Sequence, residues 1–569
     1  MKPNLRLFRA PNSLWFQFLE FNPQFFREIK GKLKTRNMVI TAALAVITQF
    51  VVMIALLSKL PDSDPARIGV RQYSRYCWDV CTQDLMDNWV VNWQLLWLDS
   101  FIIFSIIGVL ALLILGTYML IADTVQEENR GTLNFIRLSP QSASSILLGK
   151  ILGVPILLYS GVLLLLPLHL ASGLQAHIPI ALIVAFYGVV VASCGFFYSL
   201  ALLWSLTKLG FPSLKPWLGS GVLGFLLLIL TKVLLDGAGS LNNPLGWLFL
   251  FNPALALSYL IDATSLPSNQ IDFFTREDLS EMLFLGQALW TKASIGISTI
   301  IFHFGLWTYW CWKIAQRRFL NPDRTLISKT QSYWLTGCFV TVALGFTLQS
   351  TRQSLLAEYF IFLQFCLGVW GLGLIAALSP HRQALYDWAR YRHQVRIGGN
   401  VLWKELIWGE NSPSTVAIAI NLFIGIIYII PSVLIHLKPS QYHLLWGFVL
   451  SAEMILLLAV ITQLILTSKN RKRGVWSIIT VASLVILPSV FLGLADFHPQ
   501  TAALPWLFGF VPTAVTEYAA VPSIFMAVMG QWLAIALISL QMTRKLKQAG
   551  ASETKILLER NTLAIDRSV

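Results

Sequence analysis

Charged and polar side chains concentrate at residues 127–150, EENRGTLNFIRLSPQSASSILLGK, in a chain that is 56% hydrophobic and only 12% charged. Glu127 and Arg130 have the spacing that lets two side chains pair across one helical turn. Gly131 weakens the helix directly afterwards, and Ser139-Pro140 is typical of the cap and first turn of a new helix. The pattern therefore predicts a helix, a bend and a second helix. We call residues 123–146 the elbow segment.

The chemistry of the elbow segment favours protein binding over catalysis. Three apolar side chains are predicted to form an exposed ridge, which would need a partner surface; they are Leu133, Ile136 and Leu138. Elsewhere the sequence has no Ser/His/Asp set, no metal-spaced Cys/His group and no paired carboxylates on a shared face. We therefore expect no catalytic residues, no metal site and no cofactor site in this chain.

Glu453 is the one carboxylate placed well inside a predicted membrane span. An ionised group there is costly and is usually functional or paired. Two readings stay open, a site for a cationic group or a proton, and a protonated or hydrogen-bonded packing residue. For His169 and His303 we favour core histidines over ligands, and Lys232 is predicted to reach the membrane surface from its span end.

Long apolar runs dominate the 569 residues, and FIIFSIIGVLALLILGTYMLIA at 101–122 is one example. Such runs are long enough to cross a bilayer of about 30 Å as helices, and they are too long and too uniform for barrel strands. The predicted fold class is an all-α polytopic membrane protein without a soluble domain. We place about twelve spans, at 38–58, 101–122, 147–171, 180–206, 217–235, 292–312, 333–350, 359–378, 415–437, 444–467, 475–495 and 521–543.

Lysine and arginine mark the predicted cytoplasmic side, because positive charge is retained there. With the N-terminus inside, the inside segments, counted with Lys150 at the edge of the third span, hold 33 of the 42 Lys and Arg. Both termini are thus predicted to be cytoplasmic. This asymmetry and anionic lipid also account for the net charge of +14, so we expect no nucleic-acid partner. The predicted location is the bacterial plasma membrane.

Six cysteines are spread along the chain, and four of them lie in predicted spans, where a thiol behaves as a small apolar group. Cys77 and Cys81 lie in a predicted outside segment, where an oxidising compartment permits a disulfide. If that stretch is helical, their β carbons stand too far apart for easy bridging.

The residues before the first span predict an amphipathic helix lying on the inner leaflet. Asn22-Pro23 offers a cap followed by a first helical residue. Phe26, Ile29 and Leu33 then share one face, while lysines and arginines take the others. A lipid anchor and a mechanical role are both compatible with this pattern.

The order of residues in and after the elbow segment resembles the motif of ABC-2-type ABC transporter permeases. The matching residues are Glu127, Glu128, Arg130, Gly131, Thr132, Leu133, Ser139, Pro140, Gly149 and Lys150. The resemblance implies that this segment is a coupling helix held in a cleft of a separate nucleotide-binding ATPase subunit, and that the N-terminal amphipathic helix braces the contact. Residues 236–291, with Asn252-Pro253, are similar to the family's extracytoplasmic re-entrant region.

The resemblance also implies a division of labour between chains. No G-x-x-x-x-G-K-S/T phosphate loop occurs, and no stretch between spans reaches the couple of hundred residues or so that an ATPase domain needs. ATP and Mg²⁺ would therefore bind only to the partner subunit. The family's activity implies export of a small amphipathic or hydrophobic substrate, with Glu127, Glu128, Arg130, Gly131, Thr132, Leu133, Ile136 and Pro140 as coupling residues.

The domains predicted from this pattern are a cytoplasmic segment at 1–37, a six-span permease-like region at 38–320, a second six-span region at 321–543 and a short tail at 544–569. The second region has no second acidic-x-Arg-Gly-Thr motif. It is a degenerate repeat, an added lateral shell or a dimerisation module, and a homodimer or heterodimer of permease chains is expected. The alternative functions are an ion-gradient-driven secondary transporter and a non-transporting scaffold or assembly factor.

Overall fold

The computed structural model describes residues 22–550, with the exception of 62–73, 78–88, 208–211, 237–240, 242–243, 267–272, 274–275, 350–352 and 396–398. These described residues fold into helices and connecting turns, and none of them forms a β-strand. The chain divides into two compact units. The first comprises residues 1–241, 245–282 and 288–322, and the second comprises 242–244, 283–287 and 323–569.

The first unit contains twelve described α-helices. They are α1 Pro23–Lys32, α2 Thr35–Leu57, α3 Trp93–Leu110, α4 Gly116–Asn129, α5 Thr132–Arg137, α6 Ala143–Gly153, α7 Ile156–Gln175, α8 Ile180–Ser205, α9 Lys215–Asp236, α10 Leu257–Asp262, α11 Arg276–Ser280 and α12 Ala293–Leu320.

The second unit contains nine more α-helices within the described part of the chain. They are α13 Lys329–Thr347, α14 Gln353–Leu378, α15 Arg382–Val395, α16 Gly399–Trp408, α17 Thr415–His436, α18 His443–Leu466, α19 Arg473–Leu494, α20 Ala503–Trp506 and α21 Val521–Gly550.

Ten of the described helices are long and apolar enough to cross a membrane: α2, the continuous helix from α3 through α4, α7, α8, α9, α14, α17, α18, α19 and α21. The protein is therefore an all-α membrane protein with multiple spans. Two further predicted spans, 292–312 and 333–350, fall on α12 and α13. Both are long helices, but neither is apolar enough to be counted among these ten.

The second predicted span is longer than its apolar run suggests. Residues Trp93–Asn129 form one continuous helix of 37 residues, which carries the chain well beyond the apolar stretch. A π-helical turn at Ala111–Leu115 separates α3 from α4. Tyr198 of α8 donates its hydroxyl to the carbonyl of Leu112 at 2.7 Å, and Gly116 leaves the space that the Tyr198 ring occupies. A neighbouring side chain thus satisfies a carbonyl within the π turn.

The apolar residues from Gly246 to Asp262, after α9, are largely buried within the first unit. Two 3₁₀ turns, Gly246–Phe251 and Pro253–Ala256, lead directly into α10. Asn252 lies between them, caps Ala254 through its side-chain oxygen and donates to Thr231 at 3.0 Å. The Asn252 side chain thus satisfies one buried backbone N–H and one buried hydroxyl.

The cysteines outside the predicted outer loop are free. Cys194, Cys311, Cys338 and Cys366 carry no disulfide. Cys77 is disulfide-bonded, and Cys81 lies outside the described residues.

Candidate functional site

The N-terminal helix α1 begins where the sequence predicts. Asn22 accepts hydrogen bonds from the backbone N–H groups of Gln24 and Phe25 at 3.1 and 3.2 Å, and Pro23 occupies the first helical position. The side-chain amide of Asn22 also donates to the carbonyl of Ser145 at 2.7 Å. One residue therefore both starts α1 and joins it to α6.

Helix α1 packs against α6 through its polar face. Asn22, Gln24 and Glu28 are buried, whereas Phe26 on the predicted apolar face is exposed. Close approach depends on Gly149 and Gly153 of α6, which are four residues apart. A β carbon at Gly149 would lie 2.8 Å from the Asn22 side-chain oxygen, and one at Gly153 would lie 2.5 Å from Glu28. Small residues at this spacing are typical of tight helix packing in membranes.

Six ionisable side chains from α1, α4 and α6 form one charge cluster: Arg27, Glu28, Lys32, Asp123, Glu127 and Lys150. Lys150 is at its centre, because its ammonium lies 2.7 Å from Asp123 and 2.6 Å from Glu127 while its side chain is only 1% exposed.

The remaining cations of the charge cluster come from α1. Arg27 pairs with Glu127 and, at 3.1 Å, with Glu28, and Lys32 lies 3.1 Å from Glu28 and 3.4 Å from Asp123. Burial is the largest single influence on the pKa of Arg27 and lowers it, but the attraction and hydrogen bonds of Glu127 and Glu28 together outweigh burial, so the net shift is upward. Three carboxylates thus face three cations, and the cluster fixes α1, α4 and α6 to one another.

Asp123 and Glu127 lie four residues apart on one face of α4, which corrects the expectation that no carboxylates would share a face. Together with Glu28 they are close enough to hold a metal ion, since one ligand oxygen from each lies within 4.8 Å of the others. The charge balance argues against this use. Lys150 already contacts two of the three at hydrogen-bonding distance, and an ammonium there would repel a divalent cation. We therefore interpret the cluster as a structural ion-pair network.

These contacts correct the predicted pairing of Glu127 with Arg130. Glu127 reaches Arg27 and Lys150 instead, because α1 and α6 pack on either side of it. Arg130 is exposed and forms no ion pair with the described residues, whereas Glu128 is half-buried and attracts Lys215. Arg130 thus stays available at the surface of the elbow segment.

The predicted bend lies at Gly131. This residue has φ 72° and ψ 0°, a left-handed conformation that glycine adopts without strain. No other group lies within 4 Å of where its β carbon would be. The short helix α5 follows at once, and the Thr132 hydroxyl donates to the carbonyl of Glu127 at 3.2 Å across the bend.

The predicted apolar ridge differs from the structure. Leu133 is 1% exposed and belongs to a core shared with α4, α6, α8 and α12, and Ile136 packs against the same core. The exposed apolar side chains are Phe135 and Leu138, at 78% and 84%. A helix of six residues has room for only one buried face, so the i, i+3 pair of Leu133 and Ile136 turns inward and the pair of Phe135 and Leu138 turns outward. Phe135 was missed in the sequence, although its spacing from Leu138 could have indicated it.

The predicted start of the second helix also needs correction. Ser139 and Pro140 lie in the turn between α5 and α6, and the Ser139 hydroxyl donates to the carbonyl of Ile136 at 2.7 Å. Helix α6 begins three residues later, where Ser142 accepts a hydrogen bond from the N–H of Ser145 at 3.2 Å. Serine is a good cap at both positions, and packing of α6 on α1 selects the later one.

The elbow segment is held on its other side by α12. The side chain of Gln316 donates to the Ser144 hydroxyl at 2.9 Å. The guanidinium of Arg137 lies 5.5 Å from the centre of the Phe319 ring, a distance that allows a cation–π contact. The segment therefore contacts α1, α6 and α12 and exposes one apolar edge.

Glu453 lies in α18 of the second unit and is 7% exposed. The indole N–H of Trp532 in α21 donates to one carboxyl oxygen at 2.9 Å. The other oxygen is buried and has no hydrogen-bond partner among the described residues. Gln531, next to Trp532, is 2% exposed, and both of its side-chain polar atoms are also buried without a described partner. Two under-satisfied polar groups thus occur on packed helices.

The two histidines differ from each other. His169 bonds to the hydroxyls of Ser105 and Tyr187, each at 2.8 Å, and stacks on Phe101, which fits a satisfied core residue. His303 is buried beside Phe251, and its Nε2 has no hydrogen-bond partner among the described residues. Lys232 is 74% exposed and pairs with Asp236.

Fold and site together define an all-α, multi-pass membrane protein with a rigidly braced elbow at the end of one long helix. Comparison of the chain with models of protein families, with curated proteins and with solved structures found no match.

Proposed function

We propose that this chain is the membrane-spanning subunit of an ABC transporter and that its elbow segment binds a separate nucleotide-binding ATPase subunit. The observation that carries the proposal is the pair Phe135 and Leu138. Both are large, apolar and mostly exposed, and they lie on a short helix that the rest of the first unit holds in place. Exposed apolar side chains on a braced polar segment suit a protein partner.

The contacts around the elbow segment support a mechanical role. The charge cluster joins α4, which carries the segment, to α1 and α6. If the partner displaced the elbow segment, the helices α3–α4 and α6–α7 would therefore move together. The segment would not simply bend as a flexible loop does. ATP and Mg²⁺ on the partner would supply the energy, and the two arrangements of the bundle would correspond to inward-open and outward-open states.

The number of spans, the orientation, the type of substrate and the oligomeric state in this proposal are inferred from the sequence. The chain has twelve spans, counting α12 and α13, with both termini on the cytoplasmic side of the plasma membrane of a bacterium. It exports a small amphipathic or hydrophobic compound. It works as a homodimer or heterodimer, because only one elbow segment of this kind is present per chain.

The experiment that tests the proposal is co-purification of the full chain with a phosphate-loop ATPase. Replacing Phe135 and Leu138 by serine should abolish co-purification and the ATP-dependent transport, while the protein still inserts into the membrane. The matched control is serine at Phe225 and Val222, which are similarly exposed but lie within the apolar helix α9. Equal loss in both pairs, or no loss in the elbow pair, would refute the proposal.

A second candidate function is transport driven by an ion gradient, which the under-satisfied Glu453 favours. This function predicts flux in proteoliposomes without ATP, and Glu453→Gln should abolish it. Flux that needs ATP and persists in Glu453→Gln would favour the ABC transporter instead.

A further inference from the structure

A cavity of about 440 Å³ lies in the second unit, between the amphipathic helices α15 and α16 and the ends of the apolar helices α17 and α21. Its volume falls within the range of small-ligand sites. The walls are mainly apolar, with Leu402, Leu406 and Met542 among them, and two cations, Arg392 and Lys547, also line it. Among the described residues, no carboxylate lines the cavity.

Arg392 is positioned to bind an anion. Glu405 accepts hydrogen bonds from the indole of Trp388 at 3.0 Å and from Arg392 at 3.4 Å, and the Arg392 guanidinium lies 5.6 Å from the centre of the Trp388 ring. The Arg392 side chain is 19% exposed. Arginine carries five N–H donors, and this long bond to Glu405 is the one described for it, so donors remain for an anionic group.

The length of the cavity and the polarity of its lining also suit an amphiphilic ligand. On α21 its lining runs from Ser539 to Lys547, which corresponds to about 12 Å along a helix axis. Lys547 belongs to the basic end of α21 and is exposed, while Met542 and Leu546 are buried against α15. Lys547 therefore places a cation where the lining meets the surface, and the remaining α21 lining combines buried apolar side chains with the hydroxyl groups of Ser539 and Thr543.

We propose that this cavity binds one anionic glycerophospholipid, with its phosphate between Arg392 and Lys547 and an acyl chain along α21. The charge of the lining selects an anionic headgroup, and the position at the ends of two apolar helices places it at the membrane boundary. Basic pockets of this kind on the cytoplasmic side of membrane helices suit anionic lipid headgroups. The inference does not depend on the function of the elbow segment.

The test is native mass spectrometry of the full chain in detergent, offered equimolar phosphatidylglycerol and phosphatidylcholine with the same acyl chains. The wild-type chain should retain one phosphatidylglycerol in preference to phosphatidylcholine. Arg392→Gln and Lys547→Gln should each weaken retention about fivefold, the effect expected for one basic residue near a lipid phosphate. Arg390→Gln and Lys545→Gln, on the same helices but outside the lining, are the matched controls.

A steric variant keeps the test decisive if a charge variant fails to fold. Thr543 lines the cavity and is exposed, so Thr543→Trp should fill the space and exclude the lipid without disturbing the buried packing. Unchanged retention in Thr543→Trp, equal loss in the control variants, or no preference for phosphatidylglycerol would each overturn the proposal. Retention of a different anionic amphiphile in place of the phospholipid would overturn it as well.

Discussion

At the scale of single residues, Lys150 has the largest structural role in the candidate site. It is buried with two carboxylates at 2.6 and 2.7 Å, and it is the most deeply buried of the three cations in the cluster. A buried ion pair adds little net stability over apolar packing, yet removal of one partner leaves the other charge uncompensated.

Lys150→Met is therefore expected to lower the free energy of unfolding by about 3–5 kcal/mol, because it removes the buried ammonium that Asp123 and Glu127 both contact. Thermal unfolding in detergent measures the change. Lys232→Met is the control, since Lys232 is exposed and forms a surface ion pair with Asp236, and it should alter stability by less than about 1 kcal/mol. Equal effects of the two substitutions would contradict the importance of the cluster.

Gly131 gives a second prediction at this scale. A branched side chain at φ 72° costs about 1–2 kcal/mol, whereas asparagine tolerates this conformation. Gly131→Val should reduce the coupling of ATP turnover to transport, and Gly131→Asn should preserve it, with both proteins inserted. Because the space around Gly131 is open, any loss reflects the backbone and not a clash. Full coupling in Gly131→Val would contradict the role of the bend.

At the scale of helices, α1 is positioned by close packing as well as by charge. Gly149→Leu should push α1 away from α6, because the added side chain meets Asn22 and the backbone of Phe25. Helix α1 carries three basic residues, so its release should appear as faster trypsin cleavage between residues 27 and 32. Gly108→Leu, at a glycine with open space around it, should leave the cleavage rate unchanged.

Tyr198 gives a prediction for the π turn. Tyr198→Phe removes the donor to the Leu112 carbonyl in a region without water, and we expect a loss of about 1–3 kcal/mol in stability. The control is Tyr309→Phe, because Tyr309 is 54% exposed. Equal melting temperatures for the two variants would mean that the hydroxyl of Tyr198 is dispensable.

At the scale of helices, capping residues in the sequence predicted where some helices begin but not where others begin. The start of α1 was predictable because capping by Asn22 and the fixed φ of Pro23 act within a few residues. The start of α6 was not, since Ser139 and Ser142 are both acceptable caps and only packing distinguishes them. Likewise the outward face of α5 depends on which side meets the core, so the sequence could place Leu133 on either face.

The partners of Lys150 show the limit of sequence analysis for the site. Asp123 and Glu127 are 27 and 23 residues away from it, and Arg27 is about a hundred residues from Glu127. Nothing in local spacing relates these positions, because the fold of three helices brings them together. The cavity between α15, α16, α17 and α21 was equally out of reach, as its lining spans residues 388 to 547.

At the scale of the whole molecule, the distribution of lysine and arginine predicts one orientation in the membrane. A fluorescent protein fused to the C-terminus should fold and fluoresce in cells, because that end is expected in the cytoplasm. A cysteine introduced at residues 496–520, which contain no Lys or Arg, should react with an impermeant thiol reagent from outside. The opposite pattern would invert the topology and place the elbow segment where no ATPase can reach it.

The π turn at Ala111–Leu115 determines the direction in which the side chains after it on the same helix point. One additional residue in a turn rotates the later side chains by about 100° relative to an unbroken α-helix. Asp123 and Glu127 point at Lys150 only with that offset. Deletion of a single residue in the π turn would shorten the helix very little, but it would rotate Asp123 and Glu127 to another face. A related sequence with a one-residue gap at this point should therefore have different ion-pair partners for these two positions.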